Sequence, residues 1–196
     1  ILKMRANIYE RGIDKVSANS RMLAISLQFS PKFDKEISSA FVDKIETASL
    51  LHDIGMLSVN DAVAYKNTNL TADELEGIRR HTVVGADYLQ KINTDKNKNG
   101  YLEMAVEIAK YHHENWDGTG YPCGLKGTEI PLSARIVKVV DVYDAMVNER
   151  PYKNGIPIDE TLKWIEDGAG KYFDPDIIQV FMKIHRNFIE GPDPYQ

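Results

Sequence analysis

Residues 101–122 read YLEMAVEIAKYHHENWDGTGYP, a segment that ends in two adjacent histidines and runs into a glycine-rich loop. Its apolar residues recur at helical spacing, which predicts a helix from Tyr101 to His113. Paired imidazoles at a helix end are poor material for an apolar core, whereas they suit a shared metal ion. The stretch therefore predicts a helical scaffold that carries a metal site at a helix end.

The same helical spacing dominates the rest of the chain. Helices are predicted over 14–29, 34–52, 71–92, 101–113, 131–142, 159–166 and 175–189, with loops at 55–70, 93–100 and 114–130. The valine-rich 136–142 run also fits a buried strand, but Pro131 before it and Ala145-Met146 after it favour a helix. The predicted fold class is therefore all-α.

Composition and charge exclude several classes of protein. The length of 196 residues is ordinary for one domain, and the formal net charge of -5 argues against a basic surface for DNA. The single cysteine, Cys123, excludes an internal disulfide and fits a reducing compartment. No run approaches the roughly 18 apolar residues of a membrane helix. These features predict a cytoplasmic protein with no membrane contact from this segment.

The first residues, Ile1-Leu2-Lys3, lack both an initiator methionine and the apolar segment of a signal peptide. We expect residues 1–13 to be the end of a linker or signalling helix from a longer chain. The domain itself is expected to cover residues 14–196.

Six residues have side chains that suit a transition metal: His52, Asp53, His81, His112, His113 and Asp141. Four imidazoles with two carboxylates favour Fe, Mn, Ni, Co or Zn over Ca or Mg. Taken singly, each has an ordinary structural explanation, such as a surface histidine at His81 or a pairing of Asp141 with Lys138 or Arg135. Their joint occurrence favours a metal site, whereas the fifth histidine, His185, is assigned to the surface of the last helix.

The order of these motifs resembles the HD-GYP family, the HD-superfamily phosphodiesterases that hydrolyse cyclic di-GMP. The matching segments are 52–53, 81, 112–114, 117–122, 124–127, 130–132, 141–145, 150–153 and 173–175, within a resemblance that covers about 14 to 190. The resemblance implies an HD-superfamily bundle of about six to eight helices with the metal site in its core, where two divalent transition-metal ions are expected. Iron or manganese is expected first, with zinc, nickel or cobalt as alternatives.

By position, the resemblance implies that the six residues above are the metal ligands, with Asp53 bridging two metals. It implies catalytic roles for Asp53, His52 and Asp141, and attack of a metal-bound hydroxide on the phosphodiester. Substrate contacts are implied for a second set: Asp117, Gly118, Gly120, Tyr121, Arg150 and Lys153. The expected product is linear pGpG, and further cleavage to GMP is left open.

The chain departs from the family pattern at three positions. Met56 stands where the family has the lysine of its His-Asp-Ile-Gly-Lys motif, so a charge and a proton near the scissile phosphate are missing. Asp14 and Ala18 stand where the family has a metal-ligating glutamate and histidine. We therefore expect two metals rather than three, and slow turnover.

Three functions stay open from the sequence. The first is a metal-dependent phosphodiesterase for cyclic di-GMP, and the second is a weak or inactive domain that binds nucleotide or docks a signalling partner. The third is a hydrolase for another phosphoester, such as cyclic GMP-AMP. The expected partners are the cyclic dinucleotide and an upstream sensory or receiver domain, with a homodimer left open. Aromatic residues near the loop serve either packing or base stacking: Tyr111, Trp116 and Tyr121.

Overall fold

The computed structural model describes residues 2–64, 66, 68–93, 100–148 and 155–188, with side chains described from Lys15 onward. Nine α-helices lie in these ranges: α1 Leu2–Gln28, α2 Ser39–Ser49, α3 Asp61–Ala64, α4 Ala72–Arg79, α5 His81–Ile92, α6 Tyr101–Tyr111, α7 Leu132–Val147, α8 Ile158–Asp167 and α9 Pro175–Ile184. Short 3-10 helices lie at Ile54–Ser58, Gly127–Glu129 and His185–Asn187. These ranges contain no β-strand, so the all-α prediction is confirmed.

Several predicted helix boundaries were wrong. The second helix begins at Ser39 rather than at residue 34, because the Ser38 hydroxyl caps it by accepting a hydrogen bond from the Phe41 amide at 3.2 Å. The predicted 71–92 helix is two helices, interrupted at Arg80, and the second of them packs on the 3-10 helix at 54–58. Pro131 precedes α7 instead of opening it. The last helix stops at residue 184 rather than 189, and the predicted 55–70 loop contains α3.

Helix α7 is the buried centre of the bundle. Every residue from Leu132 to Val140 is buried, and α1, α6, α8 and α9 all pack against this helix. A helix surrounded by others can be apolar on every side, which explains why the 136–142 run lacks an amphipathic pattern yet is helical. Neither α7 nor any other described helix is long and apolar enough to cross a membrane.

A close backbone contact fixes the turn after α2 against the start of α5. A Cβ at Gly55 would lie 1.9 Å from the backbone oxygen of His81, and a Cβ at Gly85 would lie 3.0 Å from the amide nitrogen of Gly55. Only glycine at position 55 permits this approach. The contact places Asp53, two residues earlier, next to the first turn of α5.

Candidate metal centre

The bundle brings all six predicted metal-binding residues together: His52, Asp53, His81, His112, His113 and Asp141. The first two follow α2, the third begins α5, the histidine pair follows α6, and the last lies inside α7. Four of them each offer one ligand atom within 4.8 Å of the others, namely Asp53, His81, His112 and His113. The interruption at residue 80 is what places the third histidine at a helix start rather than in mid-helix.

Asp53 lies at the centre of this cluster. Its Oδ1 is 3.2 Å from Nε2 of His81 and 3.5 Å from Nε2 of His112. Its Oδ2 is 3.8 Å from Nε2 of His52, and that nitrogen is also 3.8 Å from Oδ1 of Asp141. One carboxylate therefore faces three imidazoles, with a second carboxylate beyond the third.

Three of the histidines are oriented by backbone carbonyls a few residues earlier in the chain. Nδ1 lies within hydrogen-bond distance of a carbonyl oxygen in each of these pairs: His52 with Ser49 at 2.7 Å, His81 with Ile78 at 2.7 Å, and His112 with Ile108 at 2.9 Å. A carbonyl only accepts, so Nδ1 donates its proton and Nε2 presents a lone pair to the cluster.

The Nε2 atoms of His81 and His112 are buried and make no hydrogen bond of acceptable geometry within the described residues, although Asp53 lies nearby. Buried polar atoms without a good partner cost free energy. A cation that accepts these lone pairs removes the cost, and imidazole with carboxylate is a ligand set typical of transition metals. The carbonyl bonds at Nδ1 are the outer contacts that orient metal-bound histidines. The residues present therefore fit a transition metal.

The electrostatics of the cluster also suit a cation. Burial would raise the pKa of Asp53, but the surrounding histidines, His52 first, outweigh burial and hold that pKa well below its usual range. Burial lowers the pKa of His113, and neighbouring His112 lowers it further, so this imidazole is neutral at neutral pH. Burial also opposes a charge on His81, but the contact with Asp53 outweighs it and raises the pKa of His81.

Tyr121 contacts the cluster through His113. The two rings stack with centroids 4.9 Å apart and planes 22° apart, and the Arg79 guanidinium lies over the tyrosine ring at 5.2 Å from its centroid. Burial raises the pKa of Tyr121, and so does the charge of Asp53, so its hydroxyl is protonated at neutral pH. The structure thus gives Tyr121 a role in orienting His113, and its predicted contact with substrate stays a prediction.

The sequence alone does not single out Glu114, yet this residue holds the glycine-rich loop. It is fully buried, and its two carboxylate oxygens accept hydrogen bonds from three loop amides: Cys123 at 2.7 Å, Gly124 at 3.1 Å and Leu125 at 3.1 Å. Bonds to a charged acceptor are strong enough to offset part of the cost of burying it. The sequence signal that could have identified Glu114 was its position between the histidine pair and the glycine-rich loop.

Three loop residues predicted to contact substrate have roles within the loop. Asp117 accepts hydrogen bonds from the hydroxyl and the amide of Thr119, at 2.6 and 2.9 Å, and these bonds lower the pKa of Asp117. Gly118 has a φ of 86°, which favours glycine. A Cβ at Gly120 would lie 2.2 Å from the amide nitrogen of Asn115. Substrate contact by this part of the loop stays a prediction.

Two basic residues of α7 were alternative partners for Asp141. Arg135 instead makes a buried ion pair with Asp174, with Nη1 and Oδ2 2.7 Å apart. Lys138 is 9% exposed, and burial lowers its pKa to about 8 against the attraction of Asp141 and Glu114. Arg135 is therefore committed to the start of α9, and Asp141 lies beside the histidine cluster.

A cleft of about 540 Å³ opens over the cluster. Its metal side carries Asp53, His81, His113 and Asp141, with Tyr121 at the edge. The rest of the lining, the apolar side, consists of Met56, Ile78, Val142, Ala145, Met146, Ile156 and Trp164. The volume lies within the range of small-molecule binding sites.

Some predicted positions fall outside the described residues. Arg150 and Lys153 do so entirely, and for Asp14 only the backbone is described. Their predicted roles stay predictions. Met56 lines the cleft near the metal side, where it presents a thioether instead of an amine.

The HD domain family matches residues 15–177 of this chain. The chain belongs to the HD domain family. HD domains are metal-dependent, in agreement with the cluster around Asp53. The resemblance to the HD-GYP group is confirmed by curated relatives, and solved structures share the fold.

A Thermotoga maritima protein named cyclic di-GMP phosphodiesterase is 41% identical to this chain over 154 residues. The match covers 79% of this chain and 40% of that protein. A relative from Vibrio cholerae serotype O1, named 3'3'-cGAMP-specific phosphodiesterase 2, is 32% identical over 78% of this chain and 28% of that protein. The chain thus spans less than half the length of either relative. The solved structure of an HDG"Y"P protein from Bdellovibrio bacteriovorus shares the fold, with a TM-score of 0.61 and 22% identity over 89% of this chain and 52% of that chain.

Proposed function

We propose that this HD domain is a metal-dependent phosphodiesterase that hydrolyses cyclic di-GMP to linear pGpG, with further cleavage to GMP as an open second step. The observation that carries the proposal is the cluster at the cleft. Oδ1 of Asp53 lies 3.2 Å from Nε2 of His81 and 3.5 Å from Nε2 of His112. These two buried nitrogens make no hydrogen bond of acceptable geometry within the described residues. The name of the Thermotoga maritima relative supports the choice of substrate.

The proposed cofactors are two divalent transition-metal ions, iron or manganese first and zinc, nickel or cobalt as alternatives. Their proposed ligands are the six residues predicted from the sequence: His52, Asp53, His81, His112, His113 and Asp141. A third metal is not expected, since Ala18 offers no ligand atom. Bound metals would polarise the phosphate oxygens and lower the pKa of a coordinated water.

The protein side chains are proposed to hold the metal ions in place and to neutralise the charge of the substrate phosphates. Asp53, whose low pKa keeps it ionised, sits between the histidines and is the proposed bridging carboxylate. Tyr121 keeps His113 in place and has a protonated hydroxyl available for donation. Arg150 and Lys153 are proposed to contact the phosphate oxygens, because they match the phosphate-contacting pair of the family pattern.

Two alternatives have specific support. Met56 in the cleft favours a domain that binds nucleotide without turning it over, whereas the retained donor set favours an enzyme, because a domain freed from catalysis has no need of four clustered histidines. The Vibrio cholerae relative favours cyclic GMP-AMP as a second substrate. A cytoplasmic location, a signalling helix at 1–13, an upstream sensory or receiver domain and a homodimer stay predictions.

Metal analysis combined with hydrolysis assays tests the proposal. The protein is purified anaerobically, its metals are counted by elemental analysis, and it is incubated with Mn²⁺ or Fe²⁺ and cyclic di-GMP or cyclic GMP-AMP. Linear product is expected, with loss of at least about 10³-fold in Asp53→Asn, since metal catalysis supplies several kcal/mol. Asp43→Asn, which alters an exposed carboxylate of α2, is the matched control. Binding without product in the metal-loaded protein would contradict the enzyme and favour the docking domain.

A further inference from the structure

The apolar side of the cleft contains an aromatic ring that neither the metal cluster nor the glycine-rich loop uses. Trp164 lies on α8 and is 44% exposed. Tyr172 stacks on its indole with centroids 5.4 Å apart and planes 10° apart, and Phe173 meets its edge at 5.9 Å and 79°. These contacts hold the indole in place before any ligand arrives, so ligand binding need not order it.

The indole of Trp164 lines the cleft and also packs on an aromatic residue that lies outside it. The cleft lining includes Trp164 but neither Tyr172 nor Phe173, which line a separate small cavity beside Glu114. A planar ring has two faces, and Tyr172 stacks on one of them. No aromatic ring of the described residues stacks on the other face, which is therefore the one that Trp164 can offer to a ligand in the cleft.

The path from the metal side to this ring runs along α7. Met146 lies five residues beyond Asp141, about 7.5 Å further along the helix axis at 1.5 Å per residue. The Ile156 amide donates a hydrogen bond to the Met146 carbonyl at 2.7 Å, and both of these residues line the cleft together with Trp164. The cleft thus continues from the place of the phosphate toward Trp164 over an apolar floor, as an attached base requires.

The aromatic residues favoured by the sequence are less suited to stacking. The Tyr121 ring already stacks on His113, and the Arg79 guanidinium lies over the same ring. The Arg135 guanidinium lies over the Trp116 ring, 5.8 Å from the centroid of that ring. Trp116 also lines the separate small cavity beside Glu114. Tyr111 is not part of the cleft lining.

We propose that Trp164 forms a base subsite, in which its free face stacks on a purine of the bound cyclic dinucleotide while the phosphate lies at the metal side. This inference rests on the proposed function of the same cleft and adds a substrate-binding residue to it. Stacking of a base on an aromatic ring tolerates either purine, because every base has a π-face. The subsite therefore strengthens binding of the dinucleotide without choosing between guanine and adenine.

Kinetics provide the first test. In the manganese-loaded protein, Trp164→Ala should raise KM for cyclic di-GMP about 5- to 150-fold, which is the ~1–3 kcal/mol of one stack converted at 1.4 kcal/mol per tenfold. The value of kcat should change far less, because the metal ligands are untouched. Trp164→Phe should recover part of the loss, since it keeps an aromatic face. Tyr88→Ala, which removes an aromatic side chain that is 57% exposed on α5, should leave KM unchanged.

Fluorescence provides a test that does not depend on turnover. The chain has two tryptophans, so Trp116→Phe leaves Trp164 as the sole indole. Cyclic di-GMP should quench the emission of this variant and hardly affect Trp164→Phe, in which only Trp116 remains. Thermal melting of each variant shows whether the fold is retained.

The outcomes separate the two proposals. Hydrolysis by the unmodified protein, with an unchanged KM in Trp164→Ala and no quenching, would overturn the base subsite and leave the proposed function standing. Absence of both hydrolysis and binding in the unmodified protein would overturn the proposed function, and the base subsite with it. A raised KM that Trp164→Phe partly restores, together with quenching, supports both.

Discussion

The two sides of the cleft are held in different ways. On the metal side, imidazoles are tethered by Nδ1–H bonds of 2.7–2.9 Å to backbone carbonyls, and Asp53 is held against α5 by a glycine contact. On the apolar side, Met56 and Met146 present thioethers, which are only weak hydrogen-bond acceptors. The metal ligands and Trp164, the proposed base-binding residue, are therefore held by different kinds of contact. Substitutions at the metal ligands should change chemistry, whereas substitutions at Trp164 should change substrate binding.

The largest effect should come from removing one tethered imidazole. His81→Ala should lose bound metal and reduce turnover about 10³-fold, because it removes a ligand atom beside Asp53. His185→Ala is the matched control, since its Nδ1 makes the same kind of contact, to the Met182 carbonyl at 3.0 Å, outside the cluster. Elemental analysis and a hydrolysis assay measure the result. Unchanged metal content and turnover in His81→Ala would show that His81 is not a metal ligand.

The next effect concerns the loop that shapes the metal side. Glu114→Ala should lower the free energy of unfolding by about 2–4 kcal/mol, because three amides lose a charged acceptor. Glu129→Ala removes an exposed glutamate of the same loop that accepts one bond, from the Lys126 amide, and should cost about 1 kcal/mol or less. Urea denaturation compares the two. Equal losses would mean that burial of Glu114 does not matter to the loop.

A smaller effect should follow from adding charge to the apolar side. Met56→Lys should raise kcat about tenfold or more, since an amine in the cleft provides the charge and proton that the family pattern has at this position. Leu57→Lys, which places the same charge on a neighbouring side chain that is 63% exposed, should leave kcat unchanged. Steady-state kinetics measure both. An unchanged kcat in Met56→Lys would mean that the missing lysine does not limit turnover.

The smallest effect is the pH dependence of the metal-free protein. The folded protein lowers the pKa of Asp53, so this group adds stability above its ordinary pKa of about 3.9, and the contribution is lost as the pH falls through the lower folded value. Asp53→Asn should flatten that part of the stability profile. Chemical denaturation between about pH 2 and pH 6 measures it in the presence of a chelator. An unchanged slope would indicate that Asp53 is not held ionised by its histidines.

Much of the metal side follows from sequence, because its residues lie at helix ends that local periodicity reveals. The histidine pair after α6 and the carboxylate within α7 both appear where the pattern of apolar residues predicts. The break at residue 80 was missed, since the capping signal at Thr71 marks where α4 begins and nothing local marks where α5 does. Contacts between distant segments, such as Glu114 with the 123–125 amides, depend on tertiary packing that periodicity does not encode.

The apolar side was the harder part to predict. Trp164 lies on a helix with a strong amphipathic pattern, and its spacing gives no sign that it faces the cleft of α7. Its role depends on how α8 packs against α7, and on the aromatic support of Tyr172 from the following loop. For Tyr121 the sequence suggested base stacking, but in the structure this ring is already stacked on His113.

The carbonyl tethers have a consequence for how this site tolerates mutation. Ser49, Ile78 and Ile108 orient the imidazoles through backbone oxygens, and every amino acid provides a backbone oxygen. Side-chain changes at these three positions cannot delete the acceptors, so the orientation of the imidazoles is buffered against ordinary substitution. What would disturb it is a shift of helical register, such as a one-residue insertion in α6, which turns the helix by about 100°. The site should therefore tolerate replacements around it far better than insertions or deletions.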